Sequence, residues 1–413
     1  MKDCLKITKI IKKNNRIDYV YTPEGKWKEL LNLKEQMFIE YDTNIEQVPD
    51  SIAIVPLLCN ILPISWLFDI TISIDVIDKE FYDCIPDVKK GYCEMYPHVS
   101  MLGNLEIEKI ENNYYDSEKS SSLFSGGLDA FDTLFEHMQE KPDLLTVWGA
   151  DITLKDEIGW NKVKKHHLSV GKQYELSNSF IKSNFRTSLN YNALSAYVSK
   201  KIGGEWWHEF QHGIGILGLV APLAYINHYS TIYIASTYTP EYKGQYTCAS
   251  DPIIDNHLRF ASCKVVHDGY EKSRQDKIRN ICKHLEQNNE NFINLRVCWK
   301  STGGNNCCEC EKCYRTILGI LVEKKDPNNF GFNFTEEKRI KMMQLLPKYA
   351  KYQKKEFYEC IQRRFLENFS TETTPKDLIW FRKFKLKGKK PKLVIAYEKG
   401  MLFLKHHTKI LKK

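Results

Sequence analysis

Two adjacent glycines separate segments of opposite character at residues 120–137, SSSLFSGGLDAFDTLFEH, and this junction limits the local fold more than any other stretch of the chain. Before it, SSSLF reads as a strand. After it, Phe131, Leu134, Phe135 and Met138 recur at i, i+3, i+4 and i+7, which is one face of a helix. Glycines here remove Cβ atoms where the backbone must turn, so its N–H groups can approach another group closely. The helix that follows directs the positive end of its dipole at the same spot, and Ser125 adds a hydroxyl, a combination suited to pyrophosphate. Asp129, in the first turn, either acts through a bound Mg²⁺ or caps the helix. A plain strand-to-helix turn would use the same residues without any ligand.

The alternation continues downstream. LLTVWGAD reads as a buried strand, 157–173 as a helix, SFIKSN as a strand, roughly 205–228 as one long helix, STIYIAST as a strand and 271–287 as a helix. Such alternation predicts an α/β fold, a parallel sheet wrapped by helices, with ligands beyond the carboxyl ends of the strands. Residues 1–116 look β-rich, with RIDYVY and FDITISID as strands, and show no chemistry. The polar stretch NNYYDSEKSSS sets a boundary near residue 117. Beyond 324 the chain reads as helical to about 368 and ends in a hairpin turning at Glu398, Lys399 and Gly400. A chain of 413 residues exceeds one ordinary core, and the expected division is 1–116, 117–323 and 324–413.

The longest apolar run, SIAIVPLLCNILPISWLF at 51–68, contains Pro56, Asn60 and Pro63 and stops at Asp69, so it reads as buried core and not as a membrane span. MKDCLKITKIIKKNN mixes charge into its apolar positions, so no secretory signal is expected and the chain is placed in the cytoplasm. The net charge of +8 is uneven: residues 382–413 hold twelve Lys or Arg and one Glu, +11, leaving −3 for the rest. A basic tail of this kind meets nucleic acid or an acidic partner, or is simply a solvated end.

Thirteen cysteines in such a chain argue for reduced thiols, some of them ligands. Cys298, Cys307, Cys310 and Cys313 follow the spacing C-x8-C-x2-C-x2-C within CWKSTGGNNCCECEKC. Each two-residue gap allows a knuckle that turns both sulfurs inward, so four thiolates can enclose one structural Zn²⁺. Cys308, one residue from Cys310, is left outside.

The SGGLD turn resembles the PP-loop, the S-G-G-x-D-S signature of N-type ATP pyrophosphatases, with Ala130 where the signature has Ser. The resemblance implies an adenine nucleotide alpha-hydrolase-like domain in which Phe124, Ser125, Gly126, Gly127, Leu128 and Asp129 hold ATP, with Ser125 and Asp129 taking part in catalysis. A cysteine knuckle of this spacing about 170 residues later resembles the 7-cyano-7-deazaguanine synthase (QueC) family over roughly residues 118–323. In layout, the extra segments look like the longer QueC-like proteins of bacterial antiphage defence clusters. The implied chemistry is a ligase that transfers AMP to the carboxylate of 7-carboxy-7-deazaguanine for attack by an amine. Ammonia would give the amide and then the nitrile; a protein amine from a partner in the same cluster would give a conjugate. Lys272 and Arg274 in GYEKSRQDK are candidates for the catalytic cations, with Arg315 and, more weakly, Asp251 and Asp255 beside them. A solvated helix face is the simpler account of each of these cations.

Three other readings stand beside this one. His208-Glu209-Phe210-Gln211-His212 matches H-E-x-x-H, the zinc peptidase pattern, although Gly218 stands where the extended form has a third His. A tRNA-thiolating PP-loop enzyme would use Cys248, Cys263 or Cys308 as sulfur carrier. A nucleotide-binding interaction module would keep the fold without the catalysis.

Overall fold

Eleven strands join into one sheet in the computed structural model, which describes residues 3–298, 300, 304–352 and 355–385. They are β1 Cys4–Lys13, β2 Arg16–Pro23, β3 Phe38–Tyr41, β4 Thr71–Asp78, β5 Asn104–Glu111, β6 Lys119–Leu123, β7 Asp143–Trp148, β8 Asn178–Ser183, β9 Tyr229–Ala235, β10 Arg259–Phe260 and β11 Cys263–Asp268. The spatial order is β10-β11-β9-β6-β7-β8-β3-β2-β1-β4-β5. The run β11-β9-β6-β7-β8 is parallel throughout. The chain starts this run in the middle at β6, steps outward to β7 and β8, then returns to the other side of β6 for β9 and β11. That is the doubly wound order, and its reversal lies between β6 and β9.

The N-terminal half extends the same sheet from β8. β3 pairs antiparallel with β8, β2 with β3 and β1 with β2, after which β4 and β5 run parallel to β1. One apolar cluster runs from Leu5 to Val265 and draws on both halves. The described chain divides elsewhere, into Met1–Ser273 with Thr302–Gly304 and Arg274–Ser301 with Asn305–Lys413. The expected boundary near 117 therefore lies inside the first unit. The polar stretch there is a crossover from β5 at the sheet's end to β6 in its middle. Tyr115 pins it by donating to Ala224 O and Tyr229 O, both at 2.8 Å, and Asn113 by donating to Asp78 Oδ1 at 2.9 Å.

The N-terminal segment is also less β-rich than expected, because it holds helices at Val55–Phe68 and Lys79–Met95. The first is the apolar run; every residue from Val55 to Leu67 is buried, as a helix apolar on all sides must be. Its polar residue is satisfied: Asn60 donates to Pro56 O at 2.9 Å and accepts from Gln211 Nε2 at 2.7 Å. Asp69 ends the helix in the left-handed conformation, φ 54°. No helix among the described residues is long and apolar enough to cross a membrane.

In the second unit, helices run over Arg274–Gln287, Glu311–Val322, Glu336–Tyr352 and Lys355–Asn368, matching the helical reading of that region. The expected terminal hairpin lies outside the described residues.

Candidate functional site

β6 delivers its turn to the carboxyl edge of the sheet beside the order reversal. Phe124 is fixed from β7 on both sides of its peptide: its N–H donates to Leu145 O at 2.8 Å, and its carbonyl accepts from Thr146 Oγ1 at 3.2 Å. Gly126 then adopts φ +69°, the left-handed region that favours glycine. A Cβ there would lie 2.9 Å from His167 Nε2 and 3.0 Å from His166 Nε2, so two imidazoles back the turn. His167 is wholly buried, and its Nδ1 meets Thr146 Oγ1 at 2.7 Å. Thr146 gives its proton to Phe124 O, so His167 Nδ1 is the donor in that second bond. The exposed Ser125 accepts from the Gly127 N–H at 3.3 Å. Helix Leu128–Glu136 follows Gly127 as its N-cap, a residue with no side chain to offer, and has Asp129 in its first turn. Ala130, the departure from the resembled signature, is buried. His166, His167 and Thr146 were missed in the sequence because nothing local links residues 146 and 166 to residue 126.

Lys272 and Arg274 belong to different units. Lys272 bonds Glu136 at 2.8 Å and lies 3.5 Å from Asp132, both on the helix after the turn. Burial lowers its pKa, but Glu136 and Asp132 outweigh this and raise it. Arg274 belongs to the second unit, buried, with Nη2 donating to Thr316 Oγ1 at 3.0 Å. Arg315 is equally internal, its guanidinium 3.9 Å above the Phe357 ring. Asp251 caps the short helix Pro252–Asp255, and Asp255 is buried against His267 Nδ1 at 2.8 Å.

Beside Lys272 is a second network that sequence reading missed. His137 Nε2 meets Asp268 Oδ1 at 3.1 Å, its Nδ1 meets Glu140 at 2.9 Å, and its ring stacks on Tyr233 at 3.7 Å. Burial pulls the imidazole pKa down, but the bonds to Asp268 and Glu140 prevail and hold it up. Burial raises Asp268 and Glu140, but His137 together with Thr133 and Lys272 at Asp268, and with Ser120 and Tyr233 at Glu140, outweighs it and lowers both. The raised histidine stabilises fully below its unfolded pKa of about 6.5 and loses that contribution as pH rises through its folded value. The lowered carboxylates contribute above about pH 4 and lose their contribution as pH falls through their folded values. Wild-type protein should therefore lose Tm as pH rises from 6 to 8 through this group, a loss absent from His137→Gln in calorimetry. Parallel pH profiles for the two proteins would refute the assignment.

The His208–His212 segment is not the α-helical stretch that its pattern requires. The expected single helix over 205–228 is broken into a π turn at Trp207–Gln211 and helices at His212–Gly218 and Ala221–Asn227. A π turn keeps positions i and i+4 on one side, so it is what surrounds the two histidines that speaks against a metal site. Glu209, the would-be base, is buried and accepts from Tyr96 OH at 2.7 Å and Thr247 Oγ1 at 2.6 Å. Among the described residues these histidines belong to no group of three potential metal ligands.

The cysteines do form such a group. The sulfurs of Cys298, Cys307, Cys310 and Cys313 all lie within 4.8 Å of one another, with Cys298–Cys310 at 3.8 Å and Cys307–Cys313 at 3.9 Å. Tetrahedral Zn–S bonds of about 2.3 Å need sulfurs about 3.8 Å apart. The knuckle amides are directed at the sulfurs: Cys310 N–H at Cys307 Sγ, 3.3 Å, and Cys313 N–H at Cys310 Sγ, 3.5 Å. Hydrogen bonding from Cys313 leads the causes that lower the Cys310 thiol to about 5. Cys308 stands outside as expected; its backbone is left-handed, φ 56°, and its sulfur contacts Asn306 O at 3.7 Å. The set could hold a metal ion, and zinc fits its donors and spacing.

Fold and site together define a mixed α/β protein with a doubly wound parallel run, a glycine-rich turn at the order reversal and a four-thiol group able to take a metal. No protein-family model matches the chain, and no curated protein matches it.

Proposed function

We propose that this protein is an ATP-dependent ligase that adenylates a carboxylate, that of 7-carboxy-7-deazaguanine, for attack by an amine, with Zn²⁺ held by the four cysteines. The observation that carries the reading is the turn Phe124–Asp129. It is left-handed at Gly126, exposed at Ser125 and followed by a helix whose N-cap is a glycine, and it stands where the strand order reverses. Doubly wound sheets bind nucleotides at that position, and helix N-termini favour phosphate. The turn would hold the β and γ phosphates, and Asp129 would hold the Mg²⁺ that neutralises them. The α-phosphorus would then face the carboxylate oxygen at the sheet edge. The cysteine set supports the family part of the reading, since it follows the turn at the spacing of the resembled deazaguanine enzymes.

The test is AMP release from ATP by zinc-replete protein, with and without 7-carboxy-7-deazaguanine. AMP that depends on this acid, with an amide or nitrile mass in ammonia, is the expected result. Absence of AMP under both conditions would remove the assignment.

A further inference from the structure

One pair of reactive side chains remains outside both sites. Cys248 Sγ lies 3.7 Å from His212 Nδ1. His212 follows the π turn directly, and turns of this kind concentrate at functional sites. The Trp207 ring packs edge-on to the His212 ring at 5.0 Å and beneath the Arg186 guanidinium at 4.0 Å. Cys248 lies on the segment after β9, and its neighbours are tied down: Ala249 N–H donates to His208 O at 2.8 Å, and Ser250 Oγ donates to Asp255 Oδ2 at 2.8 Å.

Topology places this pair at the edge that carries the SGG turn. β7, β6 and β9 are parallel neighbours, so their carboxyl ends share one edge, with the β6 turn between the segments that follow β7 and β9. Cys248 is on the β9 segment. His212 feels the charges of Asp151, which follows β7, and Arg186, which follows β8. Cys248 thus lies on the segment that follows the strand next to β6, and His212 opens the helix His212–Gly218 in the crossover from β8 to β9.

We propose that Cys248 and His212 are a nucleophile and its base, which take the acyl group from the adenylated carboxylate as a thioester before an amine receives it. The proposal rests on the adenylation reading above. In the first step Sγ attacks the acyl carbon. A C–S bond forms, the C–O bond to phosphate breaks with its electron pair leaving on AMP, and the thiol proton passes to His212 Nδ1. In the second step an amine nitrogen attacks the thioester carbon. A C–N bond forms, the C–S bond breaks, the proton on His212 returns to sulfur and the surplus amine proton leaves to solvent.

Burial holds both groups in their uncharged forms at rest. Burial pulls the His212 imidazole down, keeping it neutral and able to accept a proton. Burial pushes the Cys248 thiol up to about 12, while the Ser250 backbone amide bonded to sulfur works in the opposite direction and would stabilise the thiolate as it forms. A thiol that stays protonated until its base acts is protected from adventitious oxidation. A sheltered thioester also outlasts an acyl adenylate while a bulky amine, such as one on a protein, arrives.

The experiment incubates full-length wild-type protein with ATP and 7-carboxy-7-deazaguanine in amine-free buffer and maps peptides by mass spectrometry, with ATP–pyrophosphate exchange run in parallel. The expected result is an adduct on Cys248 equal to the acid minus water, discharged by hydroxylamine, and amide formation at least 100-fold slower in Cys248→Ser. Exchange without an adduct on Cys248 would overturn the thioester and leave the adenylation reading standing. So would wild-type amide formation by Cys248→Ser. Absence of exchange and of AMP would overturn the adenylation reading and the thioester with it. Because the adduct is sought on the wild-type chain, the result does not depend on the variant folding.

Discussion

Gly126→Ala is expected to lower AMP formation by at least 100-fold, roughly 2.7 kcal/mol of transition-state stabilisation, while the protein stays folded. Two features of the turn combine here. Alanine at φ +69° occupies the left-handed region, at a cost of about 1–2 kcal/mol for a residue with a Cβ. Its methyl would also meet the Nε2 atoms of His167 and His166 at 2.9 and 3.0 Å. The His167 imidazole does not retreat easily. His167 is fixed to Thr146, and Thr146 to the carbonyl of Phe124, so the strain returns to the turn itself. The turn relaxes by rotating its peptides, and those peptides carry the N–H groups proposed to meet phosphate. Gly127, at φ −82° and ψ 172°, is in extended backbone that any residue adopts, so Gly127→Ala should cost less stability. The check is initial-rate AMP release for both variants beside their melting temperatures. Gly126→Ala with wild-type rate would mean that the turn does not hold the reacting phosphates.

What could be read in the sequence was what neighbouring residues decide together. The glycine turn, helix Leu128–Glu136 and the four-thiol set each lie within a short span, and each is found where its spacing places it. The continuity of the sheet is a matter of pairing between distant residues. β3 bonds β8 across about 140 positions, as in Ile39 opposite Ser183, and no local pattern encodes that partnership. A composition shift at 112–118 therefore reads as a boundary, whereas the chain is crossing from one part of a sheet to another. Helix Lys79–Met95 was overlooked in the β-rich reading of 1–116, although Phe81, Cys84, Val88 and Tyr92 recur at helical spacing and are buried. The H-E-x-x-H pattern failed for the opposite reason. Its chemistry needs a free carboxylate and a third ligand, which distant residues decide: Glu209 is taken up by Tyr96 and Thr247, and the two histidines join no ligand group among the described residues.

Cys310→Ser should reduce bound zinc from one ion per chain to near none and lower the Tm of the second unit by more than about 10 °C. The residue has two structural tasks. It is one of four donors, and its sulfur also caps helix Glu311–Val322 by accepting the Cys313 N–H. Serine can restore part of the cap, since its hydroxyl is a good N-cap acceptor, but it is a poor replacement for a zinc thiolate. The loss should therefore follow the metal and not the helix end. Structural zinc sites contribute about 10–16 kcal/mol of apparent binding energy in small domains, so removing the ion outweighs any single hydrogen bond nearby. Cys308→Ser is the contrasting variant, buried in the same segment but outside the sulfur set, and should keep its zinc. His208→Ala should keep it too, because that histidine joins no ligand group among the described residues. Elemental analysis with calorimetry decides between these outcomes. Zinc retained in Cys310→Ser and lost in His208→Ala would move the metal to the π turn and restore the peptidase reading. Zinc lost in Cys310→Ser alone would leave that turn free to serve the edge of the sheet.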